Sequence, residues 1–572
     1  MTQNKARVKR HWHVLVLALI IALASFFRLW HLNQLPYALH DDEVWNAYLG
    51  KFIILNHQDV NGQKWPWLYS DKFGDYPPVL PMYLSGLTAI FFGDNALAVR
   101  LPIAICGIIN VITVYFLAKF LFADTRAALV ATLFMAICPW HVILSRATAE
   151  NIVATSVFSL GILVLFTALE KQKVSGKLLV SLLLLLTTYL LYPSYRVLIP
   201  LFLLPTFLLT PPKSLIRQCM VTATIVAFGL TFIIGHTDWG KGRYDQISIW
   251  THGGEIAGKS LNYSLALGPG RVLEARIFNN KYVLVAREFL RQYSTYFSAQ
   301  FLAGEGFMEP KRYHLIEHGV AYWSLILVII LFVLVQIVRP YTLPQLSATF
   351  KRQRWRYFLL LLWFLLIAPL PAALTLEEVP NIHRTLGMVV VWSLLFGWLT
   401  CRLLAAKLTR HWLMIAAVGL GLVLCGEAIY FWHTYTTLDY ESNFIYRDDA
   451  KKLISEWLLA QHDEKIPILI PQAGNLILHY LFFGGNYDPS LVGQFEDGLS
   501  IEVFHHLHPV FDPCKQAQKI LKLQPNEKIL VVSEQDNCEG LVLRDKIVRH
   551  NLTDAYYIWE ASREGILPVN EL

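Results

Sequence analysis

Charged residues are scarce in this chain. Lys, Arg, Asp and Glu make up 16% of its 572 residues, while 55% are hydrophobic and the mean hydropathy is +0.43. A soluble globule of this size carries roughly a quarter of charged residues, so the composition excludes one. Recognisable chemistry motifs are missing too. The sequence has no glycine-rich phosphate loop, no Cys/His pattern with structural-zinc spacing and no serine-nucleophile elbow. That sets aside P-loop, zinc-finger and serine-hydrolase chemistry. No internal repeat, low-complexity tract or long Gly/Ser linker stands out. Cysteine is sparse, at seven residues, and five of these lie in apolar segments or at their ends, where they read as small hydrophobes.

What the chain does have is long apolar runs. Stretches of about 18 or more such residues fall near 13–32, 99–122, 127–144, 151–170, 177–193, 195–210, 216–236, 318–338, 356–376, 384–404 and 411–432. A twelfth, Val79 to Gly93, is shorter and opens on Pro77, Pro78 and Pro81. Charge decides how it is counted. The head of the chain carries Lys5, Arg7, Lys9 and Arg10, which the positive-inside rule keeps in the cytoplasm. If 79–93 does not cross, the basic loops at Lys119/Arg126, Lys171/Lys173/Lys177, Lys213/Arg217, Lys351 to Arg356 and Lys407/Arg410 all fall inside. If it crosses, all of them flip. The expectation is therefore an all-α polytopic membrane domain of about eleven transmembrane helices over 1–432, with 79–93 interfacial or re-entrant on the outer side. Phe26-Phe27-Arg28-Leu29-Trp30 offers no small-residue cleavage site, so the first span reads as a retained anchor. The net charge of +7 is accounted for by the scattered inner loops, and no single basic face suggests nucleic acid.

This topology leaves outside the loops 33–98 and 237–317, short turns near 145–150 and 377–383, and everything from 433 to 572. The C-terminal stretch is polar and alternates helix-like patterns (448–461, 514–523) with strand-like ones (466–470, 528–533). It reads as a small extracytoplasmic α/β domain. Cys514 and Cys538 lie in it, in an oxidising compartment on this topology, where a disulfide is plausible.

Several polar clusters then sit on one side of the membrane. His40 is followed by Asp41-Asp42-Glu43. Asp41 or Asp42 could cap a helix, but capping needs one carboxylate and here there are three. A carboxylate at the membrane surface suits a general base acting on a hydroxyl. Arg146 and Glu150 in Ser145-Arg146-Ala147-Thr148-Ala149-Glu150-Asn151 are spaced for an ordinary helical ion pair. Placed beside the bilayer, the arginine could equally hold a phosphate oxygen and the acid orient a base. Asp75 stands in Lys72-Phe73-Gly74-Asp75-Tyr76-Pro77-Pro78, otherwise a proline-rich turn with interfacial aromatics. Pro310-Lys311-Arg312-Tyr313-His314 and Pro380-Asn381-Ile382-His383-Arg384 put basic residues outside, against the general trend. They either snorkel from helix ends or bind an anionic head group. Arg100, Tyr192 and Arg196 are weaker members of this group. His383 and His314 are candidate metal ligands with Asp75, although a lone interfacial histidine is more often simply hydrogen-bonded. His505, His506 and His508 read as a polar edge.

Taken in order, these motifs resemble the polytopic lipid-linked-sugar glycosyltransferases of the C superfold. The nearest are the dolichyl-phosphate-mannose protein mannosyltransferase family (glycosyltransferase family 39) and its bacterial relatives, including the lipid A aminoarabinose transferases. The residues that carry the resemblance are Asp42-Glu43, Pro77-Pro78, Gly93 to Pro102, Ser145-Arg146 followed by an acid, and His383-Arg384. It covers about 13–400 and leaves out the C-terminal domain. The resemblance implies transfer of a monosaccharide from a polyprenyl-phosphate donor to an acceptor hydroxyl on a protein, lipid or glycan, at the outer membrane face; the short basic head of the chain suits a bacterial inner membrane. Asp42 would be the base, with Glu43 and Glu150 as further catalytic acids. Arg146, Arg384, Lys311, Arg312 and Arg100 would hold the donor phosphate, and a divalent metal ion is a candidate cofactor at Asp75, His383 and His314. Two departures stand out: Tyr76 where aminoarabinose-type relatives carry a lysine, and Glu150 where an aspartate is commoner. The competing class, a secondary transporter or lipid flippase, would place charges at mid-bilayer and favour inverted repeats. Here the charges cluster at one interface.

Overall fold

The computed structural model describes residues 2–70, 76–251, 253–304, 309–338, 354–405, 410–461, 466–472, 475–493, 506–523 and 528–561. These form two compact units. One comprises Met1–His31 and Ile103–Ser442, the other Leu32–Pro102 and Asn443–Leu572. The division does not follow chain order, because the first polar loop groups with the C-terminal stretch.

The first unit is helical. Among the described residues, six helices are long and apolar enough to cross a membrane: Trp12–Leu29, Ala96–Phe122, Glu150–Glu170, Leu215–Ile234, Trp355–Ala373 and Met414–Glu441. A seventh candidate is the pair Thr125–Ile137 and Pro139–Ser145, bent by 53°. Gly176–Leu190, Ser194–Leu209, Trp323–Val338 and Met388–Leu404 are shorter apolar helices. Each of the eleven expected segments thus lands on an apolar helix or helix pair, four of them short. The chain is an integral membrane protein. The bend has a local cause. Pro139 supplies no N–H, so the carbonyls before it lose their helical partners. Arg28 takes up Ala136 O (2.8 Å) and Met135 O (3.3 Å), and the Tyr322 hydroxyl takes up Ile137 O (2.7 Å). The 237–317 region, which carried no element in the sequence reading, is largely helical, with Asp238–Ile247, Gly253–Leu267, Val272–Phe278 and Lys281–Thr295.

In the second unit a five-stranded sheet has the order β2-β1-β3-β5-β4, with β1 Ile468–Pro471, β2 Leu507–Val510, β3 Ile529–Ser533, β4 Val542–Val548 and β5 Asp554–Ala561. β1 is parallel to β2 and β3, while β5 is antiparallel to β3 and β4. Both faces of β3 are covered, which explains its unbroken apolar run. Leu530 and Val532 face one core, and Ile529 and Val531 face another under the helix Pro513–Leu523. A disulfide between Cys514 and Cys538 closes that second core. The first core is shared across the sequence. Val44, Trp45, Tyr48 and Phe52 of the helix Asp41–Asn56 pack with Ile454, Leu458, Ile468, Leu478 and Phe482. The helix Val79–Phe92 lies against Asp41–Asn56 through two glycines, since a Cβ on Gly50 would stand 2.0 Å from the Met82 carbonyl oxygen and one on Gly86 2.2 Å from Gly50 C. With 14 residues it is about 21 Å long, short of the ~30 Å hydrocarbon core.

Candidate active site

The acidic motif opens the helix Asp41–Asn56 in the second unit. Its cap is His40, neither Asp41 nor Asp42 as the sequence suggested. The His40 ring Nδ1 accepts the Asp42 N–H at 3.0 Å, and the Glu43 carboxylate accepts the His40 N–H at 3.0 Å. An imidazole nitrogen with a free lone pair closes the capping box as a hydroxyl would.

The three acids then part company. Glu43 is 1% exposed. It accepts Arg100 Nε at 3.0 Å and is bridged by Arg447 on its other oxygen. Burial pushes its pKa up, but the two guanidiniums outweigh burial and hold it at about 2. The remaining Arg100 nitrogens donate to the carbonyls of Pro36 (2.8 Å), Leu32 (3.2 Å) and Ala38. Glu43 and Arg100, expected in catalytic and phosphate-holding roles, here serve each other and the surrounding backbone, enclosed from solvent. Asp41 is also taken up, by Lys451 (2.7 Å), His479 (2.9 Å) and Asn475 (3.0 Å). Burial raises its pKa, yet His479 and Lys451 bring it well below the usual carboxylate range. Asp42 differs, with a side chain that is 41% exposed. His40 Nδ1 is 3.5 Å from its carboxylate.

In the first unit, Arg146 follows the short helix Pro139–Ser145 and is fully buried. Its guanidinium donates to Phe27 O (2.9 Å) and Trp30 O (2.8 Å), the open carbonyls at the end of the helix Thr2–Leu29. It lies over Trp432 and Tyr435, 5.4 and 5.5 Å from the ring centroids. Arg146, expected to hold a donor phosphate, here holds a helix end. Glu150 starts the helix Glu150–Glu170, where a negative charge suits the N-terminal dipole.

Two motifs distant in sequence do meet here. Glu309 N donates to Pro380 O (3.2 Å) and Ile382 N to Glu309 O (2.8 Å), laying 309–314 beside 380–384. The Trp140 indole N–H donates to Ile382 O (2.9 Å), the Asn151 amide to His383 O (2.8 Å), and the His383 ring packs tilted against Tyr313, with centroids 4.5 Å apart. Lys311 is exposed, Arg312 pairs with Glu378 (3.2 Å), and Arg384 donates to Thr375 (2.6 Å) and Glu377 O (2.9 Å). Burial pushes the Glu309 carboxyl up and the half-buried His314 down. Among the described residues, no three His, Cys, Asp or Glu side chains gather where a metal could be held. Asp75 lies outside the described residues. Sequence reasoning missed Arg447, Lys451 and His479 altogether. The clustered charges at 447–452 were the available signal, but nothing in the sequence tied them to Asp41 and Glu43.

Residues 75–239, under a third of the chain, match the family model for dolichyl-phosphate-mannose-protein mannosyltransferase. The fold is similar to that of ArnT from Cupriavidus metallidurans in the apo state, at 12% identity and a TM-score of 0.50, covering 98% of this chain and 100% of that one. It is equally similar to the same protein bound to undecaprenyl phosphate, at 13% identity and a TM-score of 0.51, covering 97% and 99%. A comparison with curated proteins gives no match. Fold and matched segment define the class, a membrane-embedded glycosyltransferase of the GT-C type. Within that class, residues 75–239 are similar to the dolichyl-phosphate-mannose-protein mannosyltransferases.

Proposed function

We propose that this glycosyltransferase, which takes its sugar from a polyprenyl-phosphate carrier, passes it to an acceptor hydroxyl in one inverting displacement with Asp42 as the base. One observation carries the reading: of the three acids in the motif, Asp41 and Glu43 are held in ion pairs and Asp42 presents an exposed carboxylate. The acceptor oxygen gives its proton to Asp42 as it attacks the anomeric carbon. The bond from that carbon to the phosphate oxygen breaks on the opposite side, and the carrier leaves as a phosphate monoester. Lys311, Arg312 and Arg384 supply positive charge for that departing phosphate. The bound undecaprenyl phosphate of the similar ArnT structure supports a carrier of this kind. The basic loops support a bacterial inner membrane with the acidic motif outside. The acceptor is a hydroxyl on a protein, a lipid or a glycan. Purified protein in vesicles, given a labelled polyprenyl-phosphate sugar and an acceptor, should form a glycoside of inverted anomeric configuration by NMR. A product of retained configuration contradicts the single displacement.

A further inference from the structure

The buried arginines of this protein differ in how many acceptors they meet. Arg28 serves the carbonyls of Ala24, Met135 and Ala136, and Arg146 those of Phe27 and Trp30. Arg100 and Arg447 share Glu43. Arg196, in the first unit, is 8% exposed, yet it makes one side-chain hydrogen bond, from Nε to Tyr189 O at 3.3 Å. Its Nη2 is buried without a partner, and among the described residues no carboxylate pairs with it. One flat face of the guanidinium is covered by the Trp239 indole, 3.9 Å from the ring centroid. The side chain sits where apolar helices end. Tyr189 closes the Gly176–Leu190 segment, Arg196 opens Ser194–Leu209, and Thr231, whose hydroxyl bonds Arg196 O, is in the last turn of Leu215–Ile234. Lipid head groups lie at that depth in a membrane protein.

A guanidinium stays protonated, and a buried cation without an anion is unfavourable in a membrane protein unless something supplies the missing charge. A planar fork with one face stacked on an aromatic ring and a buried Nη2 that no acceptor meets fits a phosphate. We propose that Arg196, backed by Trp239, is a further anchor for the phosphate of the polyprenyl carrier, separate from the Lys311/Arg312/Arg384 cluster. It rests on the reading that a polyprenyl phosphate is the carrier. As the glycosyl–oxygen bond breaks, the phosphate gains negative charge, so Arg196 holds the released monoester more strongly than the sugar-bearing diester.

The test is native mass spectrometry and thermal unfolding of the full-length protein in detergent, titrated with undecaprenyl phosphate, undecaprenol, phosphatidylglycerol and inorganic phosphate. Arg196→Gln should bind undecaprenyl phosphate about tenfold more weakly or worse, the loss expected of one charge-assisted contact. Its melting temperature should be unchanged or raised, because a buried charge has been removed. Arg196→Lys should recover part of the binding, and Trp239→Leu should weaken it in the same direction. Binding of undecaprenol and phosphatidylglycerol should not change in any variant. Native-level binding by Arg196→Gln overturns the proposal. So does an equal loss for phosphatidylglycerol or inorganic phosphate, or a fall in melting temperature that accounts for the weaker binding. If Arg196→Gln does not fold, native-level binding by Trp239→Leu overturns it. If the native protein itself fails to bind undecaprenyl phosphate, the carrier assignment falls first, and the two failures are thereby told apart.

Discussion

Three adjacent carboxylates on one helical turn repel one another unless each is given a different environment, and here each is. Asp41 goes to Lys451 and His479, Glu43 to Arg100 and Arg447, and Asp42 to the surface. Substituting Glu43→Gln would leave two buried guanidiniums facing a neutral amide, and should cost about 3–5 kcal/mol of stability. The pH dependence has a defined sign. The folded pKa of Glu43 is depressed from 4.5 to about 2. The stability it contributes is therefore complete above the unfolded value and lost as pH falls from about 4.5 towards 2. Thermal unfolding between pH 7 and pH 3.5 should show the gap between native protein and Glu43→Gln narrowing towards the acid end, and a constant gap would count against the ion-pair account. At this scale the sequence was partly legible. The surplus of acids over what a cap needs pointed to the motif. Which acid was exposed depended on Arg447, Lys451 and His479, some four hundred residues away.

At the level of elements, the apolar runs located the helices well, because hydrocarbon length and helical rise leave few choices. The strand-like pattern near 528–533 fell on β3 for a similar reason, with both its faces covered. Pro139 marks the break at Cys138, which a scan for apolar runs passes over, as it does the helices between 238 and 295, whose polar faces hide them. Such a scan also misses how Val79–Phe92 is held. Gly50 and Gly86 let two backbones touch, so Gly50→Ala or Gly86→Ala must push the helices apart. Either change should cost about 1–3 kcal/mol or more by overpacking. Gly419→Ala, with nothing within 4 Å of its new Cβ, is the matched control and should be tolerated. Melting temperatures of the three variants check this, and equal effects at all three positions would contradict the close crossing.

For the whole molecule, the sequence suggested a membrane domain over 1–432 and a separate outer α/β domain over 433–572, and the compact units divide the chain elsewhere. The helix bearing Asp42 shares one core with Ile454, Leu458, Ile468 and Phe482, and its first-turn acids bond to Arg447, Lys451, Asn475 and His479. Composition divides the chain at about 433, whereas packing joins Leu32–Pro102 to Asn443–Leu572. A chain truncated after Ser442 should therefore lose transferase activity, and native-level transfer by that fragment would contradict this reading. The most direct test of the central claim is sugar transfer by Asp42→Asn, which keeps the side chain's shape and removes its basicity. The variant should fold and bind undecaprenyl phosphate as the native protein does, while transfer slows by about 10²–10⁴-fold, the range for loss of a general base. Transfer at the native rate would show that the proton goes elsewhere.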